Sequence, residues 1–162
     1  MFKYSLLLSI ISDIFLKVSF GLIFFNYGYA KLKNLLNDNG EGLINMVTTI
    51  PFFSIFPVFF SWSLAIGEVF VLLGLVYGIF YFLPFSNLLT KLAGIMSLII
   101  SIVIVYQHIL VWGDNIFSYG PFEIFNIQEG KKSIFGQILF LPISVYIIFN
   151  NRISLLLVSD NK

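Results

Sequence analysis

Apolar residues fill this chain in four long runs, and the few polar positions inside those runs recur at helical spacing. In the first run, DIFLKVSFGLIFFNYGYAKLK from Asp13 to Lys33, the residues Asp13, Lys17, Gly21, Phe24, Gly28 and Lys31 follow one slowly drifting stripe at about 3.6 residues per turn. A stripe that carries ammonium groups cannot face lipid, because a Lys at membrane depth costs at least about 2.5–3.5 kcal/mol. It is predicted to point into a bundle. The run starts near residues 4–9 and is predicted to end near Lys31, longer than the roughly 20 residues a bilayer requires. The helix therefore tilts or leaves Asp13 near the interface.

A polar break, NLLNDNGEG at 34–42, follows. From Leu43 to Pro57 the chain is apolar again, but Pro51 and Pro57 cut it into pieces too short to span, which predicts a short interfacial or re-entrant segment. The second long run carries Gly67, Gly74 and Gly78 on one stripe, with Glu68 beside it; Gly74-x3-Gly78 is a spacing that lets helix backbones approach closely. A short turn at 83–87 forces the third run to return antiparallel. In that third run Gly94, Ser97, Ser101 and His108 mark one inward face. A polar and aromatic connection at 113–132 is predicted to lie on the membrane surface with its rings at headgroup depth. The fourth run contains Pro142 and ends at Asn150, Asn151 and Arg152. Spans at about 8–31, 58–82, 90–112 and 134–149 thus predict an all-α membrane protein, an antiparallel four-transmembrane-helix bundle forming a single domain over residues 1–162.

Composition narrows the function. The chain is 59% hydrophobic and only 10% charged, too little polar surface to cover a water-soluble globule. Its partners are therefore expected to be the lipid bilayer and other membrane subunits. A formal net charge of +1, with charges scattered singly, argues against nucleic acid. There is no cysteine, which excludes thiol–disulfide exchange by this chain alone, and one histidine, so two His ligands to a haem cannot come from one copy. No metal site is expected. Lys3 gives a small basic start, but the apolar core from Leu6 to Ile11 is short, Asp13 interrupts it and no small-x-small site follows. This stretch is read as the beginning of the first span. The basic residues at the two sets of loops tie, and the acidic residues crowd one side; the resulting expectation is that both termini lie in the cytoplasm.

Depth arithmetic singles out two charges. Lys17 lies fourteen residues before Lys31, about 21 Å along the axis, and Glu68 lies about ten residues into the second span, roughly 15 Å deep from the same face. A mismatch of about 6 Å is within reach of a Lys and a Glu side chain, so Lys17 and Glu68 are predicted to meet, with Asp13 one turn away as a second counter-ion. Two readings of that pair stay open: a structural ion pair that sets helix register, or a site where a proton or the polar head of a small molecule meets Lys and Glu. His108 shares the Ser97 and Ser101 face and is a candidate donor to a quinone carbonyl, although a lone His near a helix end is more often interfacial. Asn26 and Gln107 suit bonds across helices, and Trp62, Tyr106, Trp112, Tyr27 and Tyr29 suit an aromatic belt.

The run Lys17-x3-Gly21-x6-Gly28-x2-Lys31, then a polar break, a Pro-containing segment and a second span with Glu68 ahead of Gly74, resembles the DoxX family of small four-helix membrane proteins. The resemblance covers about Asp13 to Trp112. It departs in having Lys17 where Arg is common, which keeps the charge but removes bidentate geometry, and in a longer third connection. The resemblance implies a membrane subunit associated with redox chemistry; relatives include the small membrane subunit of a thiosulfate:quinone oxidoreductase. On that footing Lys17, Glu68 and His108 would line a quinone-facing cavity, and Gly21, Gly28, Gly67, Gly74, Gly78 and Gly94 would serve helix packing; no catalytic residue is assigned. The alternative is a non-catalytic scaffold or assembly subunit, which 20 Phe residues would suit. A transporter is disfavoured, since no inverted repeat is evident.

Overall fold

The computed structural model describes residues 2–113 and 135–149. The surface connection expected after residue 113 and the end of the fourth run at Asn150–Arg152 lie outside the described residues. The helices are α1 (Phe2–Leu36), α2 (Glu41–Thr48), α3 (Pro57–Tyr77), α4 (Ser86–Tyr106) and α5 (Phe135–Phe149). A 3₁₀ turn, Phe53–Ile55, precedes α3, and a π turn, Gln107–Val111, extends α4. Among the described residues there is no strand.

Three stretches, Leu7–Leu36, Pro57–Tyr77 and Ser86–Val111, are long and apolar enough to cross a membrane, and α5 is apolar but shorter. Their side chains are sorted opposite to those of a water-soluble protein: Leu22, Ile23, Leu73, Ile99 and Ile102 are exposed, whereas Asp13, Lys17, Glu68, Thr90, Ser97 and Ser101 are buried. Together these features point to a membrane protein, in which lipid covers the apolar exterior.

The helix boundaries differ from the predicted spans. α1 continues past Lys31 to Leu36 and ends in a Schellman turn, with Asp38 left-handed at φ 56° and the Asn39 N–H donating to the Asn34 carbonyl at 2.9 Å. α3 opens with Pro57 in its first turn, where a missing N–H costs nothing. It closes at Tyr77, short of residue 82, and the chain reverses over 78–85 instead of 83–87. α4 accordingly starts at Ser86, after a left-handed Phe85 at φ 63°. The Pro-cut segment is α2 plus the 3₁₀ turn.

α1 packs on α3, α3 on α4 and α4 on α5. Phe140 of α5 meets Phe20 and Phe24 of α1, at 5.7 and 5.5 Å between ring centroids, so α5 also touches α1. Small residues set the α1–α3 and α3–α4 seams. A Cβ on Gly28 would lie 2.7 Å from the Glu68 Cβ and 2.9 Å from the Ala65 carbonyl; one on Gly74 would lie 2.8 Å from the Ala93 Cβ. Gly21 faces Leu72, Gly78 faces Thr90 and Gly94 faces Ile147 and Ile148, while Gly67 sits more loosely beside Met96. Between the two ends of the molecule Phe20, Phe24, Val71, Leu75, Ala93, Ile100 and Ile147 form the apolar core.

Candidate functional site

Two polar centres occupy opposite ends of this core. At the end where α1 begins, Lys17 and Asp13 stand one turn apart, and the Lys17 Nζ lies 2.7 Å from Asp13 Oδ2. The Tyr81 hydroxyl, from the α3–α4 turn, donates to the same Asp13 oxygen at 2.7 Å, and the Lys17 Nζ lies 5.3 Å from the centre of the Tyr81 ring. Burial and the hydrogen bond to Asp13 push the Tyr81 phenol above its usual range, so it remains a donor. This centre clamps α1 to the turn between α3 and α4.

The other centre lies where α1 ends, α3 begins and α4 ends. Lys31 donates to Glu68 Oε1. The two partners are unequally placed: the Glu68 side chain is 1% exposed and the Lys31 side chain 22%. Glu68 Oε2 is buried and has no hydrogen-bond partner among the described residues. Burying a carboxylate oxygen without a donor is costly, so this centre stores a demand for a proton or a donor that the clamp at Asp13 does not.

Beside Lys31 a cavity of about 210 Å³ opens among α1, α2, α3, α4 and α5. Lys31, Gln107, His108 and Gln137 supply its polar wall; Tyr27, Ile50, Leu64, Trp112 and Phe140 supply apolar wall. Gln107 and His108 are consecutive, yet both are buried. Successive residues of an α-helix point about 100° apart, and the wider π turn that begins at Gln107 brings both to the interior. The Gln107 Nε2 donates to the Thr49 hydroxyl at 2.9 Å, and the Thr49 hydroxyl donates to the Met46 carbonyl at 2.6 Å. That chain of bonds fastens the α2 segment over the cavity as a roof. The His108 ring stands edge-on to Trp112, with centroids 4.7 Å apart.

The pairing expected from depth arithmetic is not the one formed. Lys17 does not meet Glu68; it meets Asp13 and Tyr81, and Glu68 meets Lys31. The reason is register. Lys31 does not mark the end of α1, and Gly28 packs directly on Glu68, which places Lys31 one turn from the carboxylate and Lys17 about 16 Å away along the axis. Lys17 is therefore outside the cavity, and Glu68 reaches it only through Lys31, whereas His108 is part of its wall. Tyr81 was not singled out by the sequence, and Lys31, although on the inward stripe, served there as a depth marker and not as the partner of Glu68. Of the neutral candidates, Gln107 bonds across helices and Asn26 is exposed. Ser97 and Ser144 hydroxyls lie 2.8 Å apart across the α4–α5 seam. Among the described residues no group of three or more His, Asp or Glu side chains could hold a metal ion. No family model, curated protein or solved structure matches this chain.

Proposed function

We propose that this chain is an integral membrane subunit of a redox-linked complex, a four-span bundle of DoxX type whose cavity at Lys31 receives the head of a quinone. The observation that carries the reading is a ring-sized cavity in which an ammonium, an amide and an imidazole converge beside a buried carboxylate. A quinone head is flat and presents two carbonyl acceptors, and Lys31, Gln107, His108 and Gln137 are donor-bearing groups set around a largely apolar space. Bound there, the quinone would supply the two-electron carrier chemistry. The chain's own residues would hold the ring: Lys31 and His108 as donors to its oxygens, with Leu64 and Phe140 in the apolar wall around it. Glu68 holds the Lys31 ammonium in place and is a proton-accepting group one side chain removed from the head. Lys17, Asp13 and Tyr81 have a different task, the structural closure of the opposite end.

The four-span reading requires α5 to cross. Its 15 residues make about 22 Å, short of the roughly 30 Å hydrocarbon core, a mismatch that local thinning of the bilayer accommodates. With both termini in the cytoplasm of a prokaryotic inner membrane, the cavity lies in the outer half of the bilayer. The test is purification in mild detergent followed by solvent extraction and mass spectrometry. Quinone at near one equivalent per chain, lost in Lys31→Met, supports the reading; its absence from the protein purified alone and from its native assembly refutes it.

The scaffold reading keeps one observation on its side: Phe15, Phe82 and Phe85 are large and highly exposed, a surface that other membrane helices could cover as well as lipid. Crosslinking to one stable partner whose activity is unchanged by Lys31→Met would favour it.

A further inference from the structure

We propose that the quinone's chain leaves the cavity sideways, along a second hollow between α4 and the 3₁₀ turn, and that the occupant is a neutral isoprenoid quinone and not a phospholipid. This rests on the quinone-head reading above and adds the route of the tail and the charge of the head.

At about 210 Å³ the cavity at Lys31 is smaller than the roughly 300–1,000 Å³ that encloses a whole ligand of moderate size. A ring fits and a ring with its chain does not. Next to it lies a hollow of about 320 Å³ walled by Ile50, Phe52, Phe53, Ile102, Val103 and Tyr106, almost wholly apolar. Ile50 and Val103 line both spaces, so the two adjoin with these side chains standing between them. Phe52 and Ile102 are 71% and 53% exposed, so the far end of the hollow opens toward the surroundings, where the acyl chains lie. A space with a few convergent polar groups beside an apolar hollow that opens sideways is the outline of an amphiphile.

Charge selects the head. The Lys31 ammonium is already met by Glu68, so the cavity presents donors without net positive charge. A neutral head with carbonyl acceptors matches that balance; a phosphate would add a second anion beside the Glu68 carboxylate. The hollow acts by shape, because a chain gains no hydrophobic energy on moving from lipid to a lipid-like wall.

The experiment measures quenching of Trp112, in a Trp62→Phe background, by a tail-less quinone and by one with an isoprenoid chain, using the full chain in phosphatidylcholine nanodiscs. Ile102→Phe and Ile102→Tyr, at an exposed position that lines the hollow and not the head cavity, narrow the exit. Each should weaken the tailed quinone by about tenfold, the scale of an overpacked contact, and leave the tail-less one unchanged. Equal binding of the tailed quinone to wild type and both variants, with the tail-less one also bound, overturns the tail route and leaves the head reading intact. No quenching of wild type by either compound overturns both. Displacement of the tailed quinone by phosphatidylglycerol overturns the neutral head.

Discussion

Removing the Lys31 ammonium, as in Lys31→Met, leaves the Glu68 carboxylate stranded. Its Oε2 already lacks a partner among the described residues, and Oε1 would lose Lys31. Breaking a buried ion pair from one side costs about 3–5 kcal/mol. Lys31 keeps 22% of its side chain exposed, and an uptake of a proton by Glu68 caps the loss, so about 3 kcal/mol is expected here. Glu68→Leu should cost less, because the freed ammonium can turn toward the cavity. The double variant should return to within about 1 kcal/mol of wild type, since two apolar side chains satisfy each other where one charge alone does not. A double-mutant cycle by equilibrium unfolding in detergent micelles should then give a coupling of about 2–3 kcal/mol for Lys31 with Glu68. The same cycle on Lys17 and Glu68 should close to within about 0.5 kcal/mol, as expected for sites more than 10 Å apart. The reverse pattern, coupling at Lys17 and none at Lys31, would refute the register of α1 on α3 and with it the position of the cavity.

Three further outcomes follow from the same contacts. Gly28→Ala should destabilise by about 1–3 kcal/mol despite its better helix propensity, because the new methyl meets Ala65 and Val69 backbone; Gly42→Ala, with nothing within 4 Å, should be neutral or stabilising by up to about 1 kcal/mol in the same melts. Tyr81→Phe should cost about 1.5 kcal/mol, the low end for a hydrogen bond to a charged group at a half-buried site. The Tyr81 phenol is held above its unfolded value of about 10, so its contribution is full below that pH and is lost as pH rises; thermal melts of wild type and Tyr81→Phe should converge in strong alkali. Thr49→Val removes the acceptor that holds Gln107 and should cost about 1 kcal/mol; faster amide exchange in α2 and unchanged exchange in α3 would show the roof loosening alone.

The inner stripes of the long helices were legible because the membrane removes the usual ambiguity: a Lys, an Asp or a run of glycines inside an apolar helix has only one direction to face. Asp13, Lys17, Gly21, Phe24 and Gly28 are buried on α1, and Gly94, Ser97, Ser101 and His108 on α4. The ion pairs were not legible, because they depend on the vertical offset between helices. That offset follows from where α1 stops, and the residues between Lys31 and Leu36 read equally well as helix or interface. It also depends on the close seat of Gly28 on Glu68, which a spacing rule cannot locate. Tyr81 lies in a turn and carries no periodic signal. The π turn is similarly silent: the seven-residue step from Ser101 to His108 fits either winding, and only the joint burial of Gln107 and His108 reveals the wider one.

The most direct test of the central claim is photo-crosslinking in native membranes with a quinone that carries its reactive group on the ring, followed by peptide sequencing of the adducts. The account expects labels on Tyr27, Met46, Leu64, Val103, Ile104, Gln107 and His108, part of the wall of the cavity at Lys31. Labels clustered around Asp13, Lys17 and Tyr81, or none above the level of a lipid-only probe, would contradict it.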